Sequence, residues 1–254
     1  MQNKSSFIVL VFSVWILHSC YHKELQYSFT TSYGGVLSGS SEYYLAELKE
    51  FQNPKGISKF PDGGRSKMTK QLFGLYKTDT LANSTILVAK LGNVSGWPSR
   101  YSTRMEKNQE YIAIGIINVT TIDSVSGIYL YDLKKNTLQK YSSSSALPSI
   151  SKYTSQLVYC IENRLIIEDY QTKTTLRSYL LNESPAFVNW KNENEIFLFY
   201  SKPFTVDILS LETGKIYKTD LDYITNYDQE LNTTQLSKNI QFTQESLKEI
   251  TKNY

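Results

Sequence analysis

The sequence predicts an all-β fold built from repeated sheets of short strands. Its apolar segments are about five residues long, rich in β-branched and aromatic side chains, and bounded by turn residues. No amphipathic helix of ten or more residues intervenes between them. The 254 residues include 20 tyrosines but only 12 glycines and 6 prolines, a composition typical of a folded, β-rich domain.

The charge balance and overall composition exclude several classes of protein. Lys and Arg total 27 against 24 Asp and Glu, so a net charge of +3 excludes a basic field of the size that nucleic-acid binding needs. With 41% hydrophobic and 20% charged residues, the chain is not collagen-like, a polytopic membrane protein or wholly disordered. We therefore expect no nucleic-acid partner.

The first residues have the features of an export signal. Lys4 precedes an apolar run over residues 7–17, and no acidic residue occurs before Glu24. At ~1.5 Å per residue this run spans only about half of the ~30 Å hydrocarbon core of a bilayer, which disfavours a transmembrane helix.

The end of this segment, Leu17-His18-Ser19-Cys20, carries the next prediction. Leu17 is too large for the −3 site of an ordinary signal peptidase, whereas Leu at −3, a small residue at −1 and Cys at +1 resemble the lipobox of bacterial lipoproteins. The resemblance implies that Cys20 carries diacylglycerol (palmitate among its acyl chains) and that the signal 1–19 is removed. A plain secretory signal and a short uncleaved anchor are the alternatives. Tyr21 in place of Asp favours the outer membrane, on either its periplasmic or its surface side.

Residues 20–40 are predicted to be the lipidated cysteine and a polar tether, with an ordinary loop at the start of the fold as the alternative. Residues 41–254 are predicted to form the folded domain. Beyond His22 the chain has no histidine, which excludes a Ser-His-Asp triad, a Cys-His dyad and a His-rich zinc site in that domain. Cys160 is predicted to be a small core residue, with a reactive thiol or a disulfide to Cys20 as the alternatives. We predict no metal, cofactor or catalytic residue.

A unit of strands recurs along the domain. Four prolines each precede a polar linker and an apolar run, followed by further strands: Pro61 (runs 72–76 and 85–91), Pro98 (111–117, 128–133, 134–141), Pro148 (157–161, 165–170, 171–179) and Pro185 (196–200, 206–211, 212–219). Three or four short strands every ~40 residues are the signature of β-propeller blades. The sequence thus predicts a β-propeller-like fold of about five or six four-stranded blades, some of them degenerate.

Three segments resemble the blade pattern of TolB-like bacterial propellers. They are Trp190-Lys191-Asn192-Glu193-Asn194-Glu195-Ile196, Ile128-Tyr129-Leu130-Tyr131-Asp132-Leu133 and Leu211-Glu212-Thr213-Gly214-Lys215, and the resemblance covers about residues 60–221. Residues 234–242 resemble the opening of another blade, which strands from residues 41–48 are expected to complete and so close the ring. A helix is the alternative for this tail, because Leu236, Ile240, Leu247, Ile250 and Tyr254 keep roughly helical spacing.

Candidate binding residues are aromatic. Trp97, Tyr101, Tyr153 and Trp190 fall near first strands, which tend to lie by a propeller channel, and are candidates for stacking on sugars or peptides; core packing is the alternative. Asp132 and Asp169 hold equivalent places in two repeats, where a hydrogen bond that stabilises a turn is expected. Residues 55–67 are read as a turn, with an anion-binding loop as the alternative.

These features predict a lipid-anchored cell-envelope protein whose propeller-like body is a non-catalytic binding or scaffolding module. The membrane, through the lipid, and a protein or glycan ligand are the expected partners. The alternative function is a carbohydrate-active enzyme that uses paired Asp or Glu carboxylates on a propeller scaffold.

Overall fold

A computed structural model describes residues 23–31, 35–54, 67–92, 101–118, 125–201, 204–219 and 244–252. These residues form four antiparallel sheets and a helix, α1 (Gln244–Lys252). Sheet 1 contains β1 (Lys23–Thr31), β2 (Val36–Ser38), β3 (Ser41–Pro54), β4 (Lys67–Asp79) and β5 (Ser84–Gly92), in the order β1-β3-β4-β5 with β2 also paired to β3.

The other three sheets are four-stranded meanders, in which each strand pairs with the next along the chain. Sheet 2 contains β6 (Tyr101–Lys107), β7 (Tyr111–Asn118), β8 (Gly127–Asp132) and β9 (Thr137–Ser142). Sheet 3 contains β10 (Ser149–Ile150), β11 (Gln156–Ile161), β12 (Arg164–Asp169) and β13 (Thr174–Leu180). Sheet 4 contains β14 (Phe187–Asn192), β15 (Glu195–Ser201), β16 (Phe204–Ser210) and β17 (Ile216–Lys218).

Consecutive sheets pack face to face, which is why their central strands are apolar on both faces. One cluster joins sheets 1 and 2, the next joins sheets 2 and 3, and the third joins sheets 3 and 4. Along β7, Ile112 and Ile114 face sheet 1 whereas Ala113, between them, faces sheet 3. A single sheet could not bury both faces, so each depends on its neighbours for stability.

One of the prolines that mark the repeats takes part in this packing. Pro148 leads into β10 and lies against Gly115 of β7, where a Cβ would come within 2.3 Å of the proline Cδ. Glycine is therefore required for the close approach of sheet 3 to sheet 2.

The structure confirms the predicted β-propeller-like class: four-stranded antiparallel sheets follow one another along the chain and pack in sequence order. The strands predicted after Pro98, Pro148 and Pro185 are those of sheets 2, 3 and 4. The described residues form four sheets, and the count of five or six blades stays a prediction.

Sheet 1 departs from the predicted blade in length and composition. Residues 23–31 and 36–38 lie in strands that pair with β3 rather than in a polar tether, because Tyr27 and Val36 are buried in the core. Residues 41–48, expected to complete a blade with the C-terminal tail, instead pair with β1 and β2 on one side and with β4 on the other.

The C-terminal end of the chain is helical where the structure describes it. The residues expected to open a further blade, 234–242, lie outside the described part. For the residues after them the helical alternative is confirmed: Leu247 and Ile250, three positions apart in α1, pack on Tyr27, Tyr44 and the rest of the outer face of sheet 1. Glu245 in the first turn and Lys252 in the last turn complement the helix dipole.

Candidate functional site

The first strands of sheets 2, 3 and 4 lie side by side. Strand β10 contacts both β6 and β14, so polar side chains from three sheets meet there. We name as the inner-strand cluster Arg104 and Glu106 of β6, Ser149 of β10 and Asn189 of β14. Ser149 and Asn189 are buried, and the Arg104 and Glu106 side chains are mostly so.

Glu106 is the centre of this cluster. Its Oε2 accepts hydrogen bonds from the Ser149 hydroxyl at 2.6 Å and from the Ile150 amide at 3.1 Å. Its Oε1 forms an ion pair with Arg104, whose guanidinium also lies 5.0 Å from the centroid of the Phe187 ring. Since buried charges are stable only when paired and hydrogen-bonded, this arrangement accounts for a carboxylate between sheets.

Ser149 connects the same cluster to sheet 4. Its Oγ lies 2.9 Å from Asn189 Oδ1 and accepts a hydrogen bond from the Trp190 amide at 3.2 Å. Ser149 has an exposed fraction of 0%, so a substrate cannot reach its hydroxyl, even though the Glu106 carboxylate lies within hydrogen-bonding distance of that hydroxyl. The inner-strand cluster therefore ties three sheets together, and its chemistry is that of a structural network.

The turn that leads into the last strand of each sheet recurs in all four sheets. Asp132 Oδ1 accepts hydrogen bonds from the amides of Lys134 and Lys135, both at 2.9 Å, and Asp169 Oδ1 accepts two from Gln171 and Thr172, also at 2.9 Å. The predicted turn-stabilising role of both aspartates is confirmed. Asp79 makes the same pair of bonds at the end of β4.

Four residues after each strand-end residue, the backbone turns left-handed. The φ angles are 49° at Asn83, 53° at Asn136, 55° at Lys173 and 67° at Gly214. In sheet 4 the strand-end residue is Ser210 rather than Asp. Asn and Gly tolerate this conformation better than other residues, which explains their presence in three of the four turns.

The same hydrogen bonds lower the pKa values of the aspartates. Backbone N–H groups stabilise the charged carboxylates, so the pKa of Asp132 lies below its ordinary value, chiefly because of the Lys135 amide. The pKa of Asp79 is lowered chiefly by the Ala82 amide, and that of Asp169 chiefly by the Ser155 hydroxyl. All three carboxylates are thus committed as hydrogen-bond acceptors within turns.

The turns between the first two strands of sheets 2, 3 and 4 lie at the same end. Asn108, Ser151 and Asn192 each accept hydrogen bonds there from backbone amides two or three residues further along. Neighbouring turns are linked between sheets, since Asn108 Nδ2 donates to Tyr170 Oη at 2.8 Å. We name this end of the four sheets the turn face.

The turn face carries exposed cationic and apolar side chains. The side chains of Lys134 and Lys135 are 75% and 76% exposed, although each pairs with a carboxylate. Leu81 is 86% exposed and Tyr153 76%. At sheet 4 the same face has an open, polar cavity of about 520 Å³, lined by Asn192, Glu193, Asn194, Glu195, Ser210 and Glu212.

The structure places the predicted aromatic candidates in different surroundings. Trp190, on β14, is half-buried and packs against the core between sheets 3 and 4, whereas Tyr153 extends into solvent from the turn face. Tyr101 begins β6, but its side chain is outside the described part. Trp97 and the lipidation candidate Cys20 lie outside the described residues, as does the 55–66 part of the 55–67 segment.

Sequence reasoning missed all four residues of the inner-strand cluster. Only the position of Ser149, directly after a repeat proline, was a usable signal. Cys160, predicted as a core residue, is fully buried between sheets 3 and 4, and burial raises the pKa of its thiol to about 12. Among the described residues, no three His, Cys, Asp or Glu side chains are grouped as metal ligands.

In the described part of the chain no helix has the length and apolar character needed to cross a bilayer. The sequence matches no protein-family model and no curated protein.

Among solved structures, the chain is similar to Sqt1 of Saccharomyces cerevisiae, with 9% identity, a TM-score of 0.38 and coverage of 76% of this chain. It spans 60% of the length of Sqt1. It is also similar to Hsv2 of Kluyvelomyces marxianus, with 8% identity, a TM-score of 0.31 and coverage of 78% of this chain and 83% of that one. At these scores the fold assignment depends on the chain's own sheets and their packing.

Proposed function

We propose that this chain is a lipid-anchored module of the bacterial cell envelope that binds a protein or glycan partner without catalysing a reaction. Cys20 carries the lipid, and the turn face carries the binding surface. The outer membrane is the preferred location, because Tyr21 rather than Asp follows the lipidated cysteine.

The observation that carries the binding role is the contrast between the two polar regions of the molecule. The inner-strand cluster is buried, and both carboxylate oxygens of Glu106 bind partners within the protein. The turn face instead presents exposed side chains, including Tyr153 and Leu81, to any approaching molecule. An exposed Tyr among polar turns is typical of surfaces that recognise proteins and sugars.

The anchor is tested by metabolic labelling with a palmitate analogue. We expect label on the wild type and none on Cys20→Ala, because acylation needs that thiol. Cys160→Ala is the matched control and should remain labelled, since the Cys160 thiol is buried and has a raised pKa. Equal labelling of wild type and Cys20→Ala would contradict the anchor.

The binding surface is tested by photo-cross-linking in intact cells. A photoreactive phenylalanine analogue at Tyr153 should give a discrete cross-linked adduct with the partner. Once the partner has been identified, an excess of it in free form should prevent formation of this adduct. The same analogue at exposed Leu180 on outer strand β13, away from the turn face, is the control. Identical adducts from both sites, or none from Tyr153, would contradict binding at the turn face.

A further inference from the structure

The first strand fixes where Cys20 is relative to the folded body. Strand β1 begins at Lys23, three residues after Cys20. An extended chain spans at most ~3.6 Å per residue, so the Cα atoms of Cys20 and Lys23 are within about 11 Å of each other. Lys23 is in register with Pro54, at the end of β3 opposite the Ser41–Asp79 pair that borders the turn face.

At this end the two central strands of sheet 1 extend further than the described strands of the other sheets. Strands β3 and β4 contain 14 and 13 residues, whereas the strands of sheets 2 to 4 contain eight or fewer. At ~3.3 Å per residue, β3 separates Pro54 from the turn face by about 40 Å. We name residues 23–26, 50–54 and 67–70 the distal end of sheet 1.

The distal end exposes apolar side chains on both faces of the sheet. Leu25 is 42% exposed and lies opposite Gln52, while Met68 is 45% exposed and lies opposite Phe51. Because Phe51 and Gln52 are neighbours on one strand, their cross-strand partners point to opposite faces. Lys67, at the tip of β4, is also exposed.

We propose that the distal end of sheet 1 is the membrane-contacting part of the molecule, and that the occupant of its apolar surface is the lipid bilayer. A protein partner covers one face of a sheet, whereas the headgroup region surrounds a protruding end and contacts both faces. Leu25 and Met68 insert at the boundary between headgroups and acyl chains, and the Lys67 ammonium lies among lipid phosphates.

This inference rests on the proposed lipidation of Cys20, whose Cα lies within about 11 Å of the start of β1. Its consequence is the orientation of the molecule: the turn face, about 40 Å from the distal end, points away from the membrane and is open to partners.

The test uses a chemical anchor, so that it does not depend on acylation in cells. The chain from Cys20 onward, which contains every described residue, is coupled at Cys20 to a single alkyl-maleimide, and its partition onto phosphatidylethanolamine–phosphatidylglycerol vesicles is measured. One chain gives only marginal attachment, so additional contacts with the bilayer are measurable. The Cys160 thiol is buried and does not compete for the reagent.

We expect the Leu25→Ser/Met68→Ser variant to partition about tenfold more weakly than the wild type, since two exposed apolar side chains leave the interface. Leu81→Ser, which removes an apolar residue that is 86% exposed on the turn face, is the control and should partition like the wild type. No loss in the double variant, or an equal loss in Leu81→Ser, would overturn the proposed orientation. Failure of palmitate labelling in cells would instead contradict the anchor itself, so the two results are separable.

Discussion

In each of sheets 1, 2 and 3, a single carboxylate at the end of a strand organises the hairpin that leads into the last strand. Asp79, Asp132 and Asp169 each accept two backbone N–H groups, and the left-handed residue four positions later reverses the chain. Asp competes well for such amides because its short side chain reaches back to its own backbone. In sheet 4, Ser210 makes one long bond of 3.4 Å to the Thr213 amide, and Gly214 supplies the left-handed conformation.

Asp132→Ala should destabilise the protein by roughly 1–2 kcal/mol, because two amides of the turn lose their acceptor. Asp132→Asn retains the side-chain oxygen and should lose less. Urea unfolding of both variants, followed by far-ultraviolet circular dichroism, measures the difference in free energy of unfolding. An Asn variant as unstable as the Ala variant would show that the charge, rather than the acceptor, stabilises this turn.

Among individual residues, the sequence predicted the turn aspartates but not the inner-strand cluster. Asp132 and Asp169 follow apolar runs of similar pattern, so their equivalence is visible without a structure. The contact of Glu106 with Ser149 joins residues 43 positions apart on two edge strands. No local pattern specifies such a pair, because it depends on how one sheet is set against the next.

At the scale of elements, the repeats were predictable where one unit is a simple meander. In sheets 2, 3 and 4 each strand pairs with the next one along the chain, so the order of apolar runs is also the order of pairing. Sheet 1 breaks this rule, since β1 pairs with β3, and charged residues such as Glu47, Lys49 and Glu50 lie within strand β3. Glu47 is buried there, paired with Lys49 at 2.7 Å, which a hydrophobicity pattern does not reveal.

The nine-residue helix α1 shows why the C-terminal prediction was ambiguous. An isolated helix of this length is marginal in water, so its stability comes from packing. Leu247 and Ile250 pack on the outer face of sheet 1, and Lys70 donates to the Thr251 carbonyl at 2.8 Å. The surface that selects helix over strand is contributed by residues nearly two hundred positions earlier, so the tail alone could not decide between them.

For the whole molecule, packing proceeds in chain order from sheet 1 to sheet 4, and α1 returns to the first sheet. The helix covers the face of sheet 1 that points away from sheet 2, among Tyr44, Tyr76 and Leu48. The two ends of the described chain thereby stabilise one another, a role that the predicted strand closure would otherwise have had. In such an arrangement, loss of any one interface weakens its neighbours.

The turn aspartates also give the whole molecule a defined response to acid. A carboxylate whose pKa is lower in the folded than in the unfolded state stabilises the fold above the unfolded pKa, near 4, and loses this contribution as the pH falls through the folded pKa. Asp79, Asp132, Asp169 and Glu195 all have lowered pKa values. Asp207 acts in the opposite direction, because burial raises its pKa.

We therefore expect the melting temperature of the protein to fall steeply as the pH is lowered from about 5 to about 2, since three turns and the Lys191–Glu195 pair weaken together. The triple variant Asp79→Asn, Asp132→Asn, Asp169→Asn keeps the acceptor oxygens but removes the three titrating groups. It should be somewhat less stable than the wild type at pH 7 and should depend less on pH over the acidic range. Thermal melts of the triple variant over this pH range measure the contribution of the turn aspartates to stability. Melts of Asp207→Asn over the same range measure the contribution of Asp207. If the triple variant lost stability with acid as steeply as the wild type, the acid response would arise elsewhere than in the three turn aspartates.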